Sequence, residues 1–322
     1  MSNSEAALAG KKPSVKTRYR VTNWREYDRA LVEWGSLTVW FKKETVLKSA
    51  CPEANGKRGA PFQYSDIAIQ TLLTMKAVFH LPYRALEGFA RSLMQIMELP
   101  LSIPDHTQMS RRARTLQVTI PRRTNGEPLH VVIDSTGLKI FGEGEWKVRQ
   151  HGAGKRRTWR KVHFAVDANL RDVIGVEVTT ADVADCEVFE GLLEQIEGPI
   201  AQIDCDGAYD THEVYTAGMA REAEVVVPPR DNAVAWEADH PRTQALTDIA
   251  ERGMAEWKKS TNYHQRSLAE NAMYRFKQLF GGSLASRDFE RQVTEVHARV
   301  AAMNTMTALG MPVSVRVGVT AS

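Results

Sequence analysis

Three acidic side chains stand where a carboxylate can do more than stay solvated. Asp134 follows the apolar run HVVI and Asp206 follows IAQIDC. Each run reads as a strand with an aspartate at its end. If the two strands lie side by side, both carboxylates project from one sheet edge, where ligands bind in α/β sheets. Such a gathering of oxygen donors suits a hard cation. An aspartate at a strand end can also simply start a turn, as in DST and DGA, and that reading stays open for each. Asp204, two residues before Asp206, would share its face one step further inside.

The third acid lies in NYHQRSLAENAMYRFKQLF, residues 262–280. On a helix turning about 100° per residue, Tyr263, Arg266, Glu270 and Lys277 fall within an arc of about 60°. Leu268, Ala272, Phe276 and Leu279 form a separate apolar stripe. One face would pack on a sheet while its neighbour presents a carboxylate between cations. A solvated helix face with an Arg266–Glu270 i,i+4 pair accounts for the same pattern, and geometry alone leaves both readings standing.

The elements that must carry these residues follow from periodicity and punctuation. Ser65 is placed to cap the helical run IAIQTLLTMKAVFH, Pro82 opens YRALEGFARSLMQIM, and Thr107 is the expected cap of QMSRRARTL. Arg111, Arg112 and Arg114 on that third short helix are expected to meet phosphates, in the manner of a helix-turn-helix. From Leu129 the signal changes. LHVVIDSTGLKIF reads as a strand, a turn and a second strand, and WRKVHFAVDA and RDVIGVEVTTA read as two more, joined near Asn169. A helix over 185–196, a strand over 200–205, a helix over 212–221 and a strand over 223–227 follow. A long helix then runs from about residue 261 to 280, ended by Gly281–Gly282, and another from about 289 to 306. This order predicts an α/β fold with a ribonuclease-H-like mixed sheet flanked by helices. It is preceded by a basic arm and N-terminal segment (1–60) and a helical DNA-binding region (61–125), with the sheet domain over 126–322.

Charge supports the division. Residues 1–125 hold 20 Lys/Arg against 10 Asp/Glu, and residues 126–322 hold 22 against 29, so net charges of +10 and −7 hide behind a total of +3. A basic N-terminal half is built to meet a polyanion. The composition, 43% hydrophobic and 25% charged, excludes wholesale disorder. No apolar stretch approaches the roughly 18 residues of a membrane span. The opening MSNSEAALAGKKPS lacks a signal-peptide core, and Cys51, Cys186 and Cys205 are too few and too scattered for a disulfide framework or a Cys-rich zinc site. A cytoplasmic protein is expected.

The spacing Tyr263-x2-Arg266-x3-Glu270-x6-Lys277 resembles the Y-R-E-K signature of bacterial insertion-sequence DDE transposases of the IS4/IS5 group. VVIDSTGLKIFGEGEW, DGAYDT from Asp206, MTALGMP from Met306 and the early YRVTNWREYDRALVEWGSLTVWF also resemble the IS5 family, so the likeness spans nearly the whole chain. It implies a catalytic, metal-holding triad of Asp134, Asp206 and Glu270. It also implies that Tyr263, Arg266 and Lys277 touch the backbone of the transposon-end DNA.

In-line displacement at phosphorus needs charge stabilised on the attacking and leaving oxygens together, which two Mg²⁺ ions (or Mn²⁺ in their place) accomplish when carboxylates hold them. Asp134 is the expected bridging ligand. Water would first nick the transposon end, and the exposed 3′-OH would then attack target DNA. Because two ends are cut, a homodimer on double-stranded DNA is expected, in the bacterial nucleoid. Ser135, with no evident His partner in the sequence, argues against a covalent nucleophile. A basic run with no acid, containing Lys155, Arg156, Arg157, Arg160 and Lys161, is expected to contact phosphates near the scissile bond, with Trp159 a core residue or a base-stacking one. Two alternatives remain: a non-catalytic DNA-binding regulator using the basic half, and a ribonuclease-H-like nuclease.

Overall fold

The computed structural model describes residues 18–41, 64–99, 101–140, 159–230 and 232–317. The chain forms two compact units, one joining its ends (Met1–Ser36 with Leu309–Ser322) and one comprising Leu37–Ala308. In the first, strand β1 (Arg18–Val21) pairs antiparallel with β8 (Ser314–Val317), and helix α1 (Trp24–Glu33) follows β1. Within the expected basic arm and N-terminal segment (1–60), Arg18–Val21 is therefore strand. Asn23 ties the unit together by donating to the Met311 carbonyl and accepting from the Val313 N–H.

The larger unit starts with α2 (Leu37–Trp40), α3 (Asp66–Val78), α4 (Tyr83–Ile96) and α5 (His106–Arg112). Ser65 Oγ accepts from the Ala68 N–H, which starts α3 as its sequence predicts. The cap of α5 is Asp105, not Thr107: its carboxylate accepts from the N–H groups of Thr107 and Gln108, both at 2.8 Å. A charged acceptor outcompetes a hydroxyl at a helix N-terminus. Ile69, Leu73, Ala113 and Leu116 from this helical region share a core with Ala298 of α11 (Phe289–Leu309), so these helices are packed into the unit that holds the sheet.

That sheet contains β2 (Leu129–Ile140), β3 (Trp159–Asp167), β4 (Val173–Thr180), β5 (Ile200–Asp204), β6 (Glu224–Val226) and β7 (Ser283–Leu284). Its order is β4-β3-β2-β5-β6, with β7 beside the far end of β2. β2 to β4 form an antiparallel meander, while β5 and β6 run parallel to β2. This is the ribonuclease-H-like mixed sheet that the sequence predicts. One expected detail fails: LHVVIDSTGLKI is one unbroken strand, because Ser135, Thr136 and Gly137 stay in register with His163, Val162 and Lys161 instead of turning.

Alternation along the strands gives the sheet two apolar faces. Val131, Ile133, Ala165, Ile203 and Cys205 pack under α6 (Phe189–Glu194) and α7 (His212–Ala220). A Cβ at Gly218 of α7 would meet Val225 at 2.2 Å, so only glycine lets that helix lie so close to β6. On the opposite face α10 (Ser267–Phe280) lies across β2 and β3, with Phe276 edge-on to Phe164 at 5.4 Å. α11 is stitched to β4 by Asn304, whose amide exchanges hydrogen bonds with the Val173 backbone. Between β6 and α10 stand α8 (Pro241–Arg252) and α9 (Met254–Ser260), two helices that the periodicity of the sequence does not predict.

Candidate active site

Asp134 lies within β2, and Asp206 lies two residues past the end of β5. Val132 is the register partner of Asp204, so two further steps along these parallel strands bring Asp134 and Asp206 to the same edge and the same face. That face is the one α10 covers. Asp204 is 0% exposed and committed inside, hydrogen-bonded to His130 Nε2 at 2.9 Å and accepting from Gln202 Nε2 at 2.7 Å. Asp206, by contrast, keeps access to solvent. Its carboxylate accepts from the Ala208 N–H at 2.9 Å, capping a 3₁₀ turn at Gly207–Tyr209, so the turn-starting role and the edge position coexist.

The signature segment is not one continuous α-helix. Asn262 adopts a left-handed conformation (φ 57°), a 3₁₀ turn covers Tyr263–Arg266, and α10 starts at Ser267. Its buried stripe is Ala269, Ala272, Met273, Phe276 and Phe280, while Leu268 and Leu279, expected in the stripe, are only half-buried. Gly281, at φ 81°, ends the helix where the sequence predicts. Glu270 is exposed on the first turn, where the helix dipole favours an acid.

Arg266 joins the parts. Its guanidinium donates to Asp134 Oδ2 at 3.1 Å and also binds the Glu270 carboxylate, linking a strand to a helix. The Asp134 carboxyl is shifted above the usual carboxylate range, chiefly by burial; the Ser135 N–H and Arg266 oppose the shift, and the charges of Asp206 and Glu270 add to it. Asp134 thus feels the charges of both other acids.

Several residues expected on DNA are turned inward. Tyr263 is 7% exposed and donates its hydroxyl to the Cys205 carbonyl at 3.0 Å, bracing the 3₁₀ turn against the end of β5. Arg160 donates to Gln292 and lies over the Phe289 ring at 5.1 Å. Lys161 donates to the Val183 carbonyl and to Asp185. The Arg112 side chain, 12% exposed, is held by the Tyr64 carbonyl and Asp66. For each, an internal acceptor takes at least one of the donors expected to meet DNA. Arg111 is exposed, Lys277 is half-buried, and Arg114 forms a loose exposed pair with Glu290 at 3.7 Å. Lys155, Arg156 and Arg157 lie outside the described residues. Trp159 is half-buried against Gly137, with Lys139 over its ring.

Ser135 does have a histidine neighbour, His163 across the β2–β3 ladder. That imidazole is fully buried and hydrogen-bonded to Thr179 at 3.0 Å, and burial pushes its pKa down to about 4. It is committed to the fold and does not activate Ser135.

A sheet of this order with helices on both faces and acids at one edge defines the ribonuclease-H-like class of α/β proteins. Family models described as "Transposase DDE domain" match residues 125–305 and residues 32–143. The chain belongs to the DDE transposase domain family. Among solved structures it is similar to the piggyBac transposase synaptic complex with hairpin DNA (12% identity, 89% of this chain and 76% of that one, TM-score 0.41). It is also similar to a simian T-cell lymphotropic virus intasome in complex with the PP2A regulatory subunit B56 gamma (13% identity, 68% and 77%, TM-score 0.23). At likenesses this distant, the strand order itself defines the fold.

DDE transposase domains typically use divalent metal ions. The donor set here, three carboxylates, is of the hard-oxygen kind that Mg²⁺ or Mn²⁺ prefers. Among the described residues no three His, Cys, Asp or Glu side chains stand close enough together to hold an ion as they are arranged. Arg266 stands between two of the acids, its guanidinium bonded to the Asp134 and Glu270 carboxylates.

Proposed function

We propose that this chain is the transposase of an IS5-type insertion sequence. It binds the terminal inverted repeats of its element, hydrolyses the phosphodiester at each end and joins the freed 3′-OH to target DNA. What supports this reading is the meeting of Asp134, from a central strand, with Glu270, from a helix over a hundred residues later, through one arginine. Asp206 stands at the same edge.

Asp134, Asp206 and Glu270 would hold two Mg²⁺ ions. Bound there, the ions supply Lewis-acid stabilisation of the attacking and leaving oxygens. The chain's own residues do the positioning. Phe276 and Tyr263 fix the helix that presents Glu270. Arg266, released from the carboxylates, turns its fork toward the phosphate. Lys277, about 10 Å beyond Glu270 along the helix, takes the DNA backbone. In the first step a water oxygen bonds to phosphorus and the bond to the 3′ oxygen breaks, leaving a 3′-OH and a 5′-phosphate. In the second, that 3′-OH attacks a target phosphodiester and displaces the target's own 3′-OH. No covalent protein–DNA bond is needed, in keeping with the buried state of His163. Two ends require two sites, so the working form is a homodimer on DNA, acting in the bacterial nucleoid.

The test is cleavage of a duplex carrying the element's terminal repeat, with Mg²⁺ and with EDTA. Nicking that yields a 3′-OH at the repeat boundary and requires Glu270 supports the reading. Binding without any nicking would reduce the protein to a regulator.

A further inference from the structure

Asp206 lies beyond the last ladder pair of β5, so the sheet does not fix its carboxylate. What holds it is the 3₁₀ turn it caps, and that turn is gripped by residues far along the chain. Arg230 donates through Nε to the Gly207 carbonyl at 3.0 Å and through Nη2 to the Ala208 carbonyl at 3.3 Å. Asp210, the residue closing the turn, is buried and forms a two-pronged pair with Arg242, Nε to Oδ1 and Nη2 to Oδ2. It also accepts from the Arg230 backbone N–H. Arg242 is 5% exposed, donates to the Val234 carbonyl and lies over the Trp236 ring at 4.1 Å. Trp236 is also stacked on His212, at 3.5 Å and 15°.

Burying an ion pair costs desolvation that its mutual attraction only partly recovers. The chain nevertheless places one where it touches a single feature of the candidate site. β5 and β6 pair through their own ladder and need no help from Arg242. We propose that the Asp210–Arg242 pair, together with Arg230, is a positioning device that sets the Asp206 carboxylate for its ion. This inference rests on the reading of Asp206 as a metal ligand. The excursion over residues 228–260 is then the outer half of the turn that carries the second acid.

The experiment is calorimetric titration of the full chain with Mn²⁺, without DNA, beside thermal unfolding in EDTA. Arg242→Lys keeps the charge but gives up the planar fork. Arg230→Gln removes only the two carbonyl hydrogen bonds from an exposed side chain and keeps the protein folded if Arg242→Lys does not. Asp206→Asn is the control, since its amide oxygen can still cap the turn. Arg242→Lys is expected to weaken Mn²⁺ binding about tenfold, as removing the groups that orient a metal ligand does, and Arg230→Gln by a smaller factor. If Asp206→Asn weakens binding while both arginine variants fold and bind as the wild type does, the positioning role is overturned and the pair merely anchors the excursion. If Asp206→Asn itself binds like the wild type, the metal-ligand reading falls and the positioning role with it.

Discussion

Arg266 Nη1 lies 3.1 Å from Asp134 Oδ2, a contact spanning 132 residues of chain. The same guanidinium holds Glu270. A cation between two acids offsets their repulsion, and on the proposed reading it would compete with an ion for the same oxygens. Arg266→Met is expected to lower unfolding stability in EDTA by about 1–3 kcal/mol, since it removes hydrogen bonds to charged groups. Its Mn²⁺ affinity should rise. Chemical denaturation and ion titration check the two halves, and an affinity equal to the wild type would mean that the arginine does not compete.

The three acids differ in setting but should be equally indispensable to the chemistry. Asp134→Ala, Asp206→Ala and Glu270→Ala are each expected to reduce Mg²⁺-dependent end cleavage by a factor on the order of a thousand or more, because ligands acting as a unit fail together. DNA-end binding should stay close to the wild-type value. A gel assay scoring nicked and bound duplex separates the two effects, and continued cleavage by the Glu270 variant would remove it from the site.

Lys277 lies two turns beyond Glu270 on α10 and is half-buried, with its cation in the last turn of that helix. Lys277→Ala should weaken end binding and lower the slope of log affinity against log salt by about one, as expected when a single phosphate is no longer neutralised. An unchanged slope would mean that this face does not meet DNA.

Phe276 is fully buried and edge-on to Phe164, the ladder partner of Asp134. Phe276→Ala should cost about 3–5 kcal/mol of stability by leaving a cavity under α10. Phe276→Leu should cost less while still lowering cleavage more than binding, because α10 carries Glu270. Denaturant melts paired with the cleavage assay read both effects.

His163 sets a pH dependence of stability. Burial lowers its pKa from 6.5 to about 4; Asp185 opposes that shift and Lys161 adds to it. Between those values the unfolded imidazole takes up a proton that the folded one refuses. Stability therefore falls as pH drops from about 6.5 to about 4, and the loss is complete below the folded value. His297 on α11, also lowered by burial, contributes with the same sign. His163→Gln should flatten part of this slope in thermal melts run across that range, and an unaltered profile would locate the acid sensitivity elsewhere.

Much of this was legible in the chain because local chemistry wrote it there. Apolar alternation marks β3 and β4, and Ser65, Pro82 and Gly281 punctuate helices by capping and backbone rules that act over a few residues. The helices over 241–260 were not legible. Their exposed, mixed sequences carry little periodicity, and what holds them is tertiary: Trp257 packs on Val226 of β6 with Ala245 and Ile249 beside it, and Arg242 reaches Asp210, 32 residues away.

The sequence by itself determined where most of the central strands and the long helices lie and which acids had to be considered, since periodicity and spacing are properties of neighbouring residues. Only the tertiary structure showed that His130 and Gln202 claim Asp204 while Asp206 keeps access to solvent. It likewise decided which donors still face solvent. Arg112, Arg160, Lys161 and Tyr263 carry the same groups as residues that bind phosphate, yet each found an internal partner from a distant segment. A side chain's type is fixed when the chain is written, but its partner is fixed only when remote backbone arrives beside it.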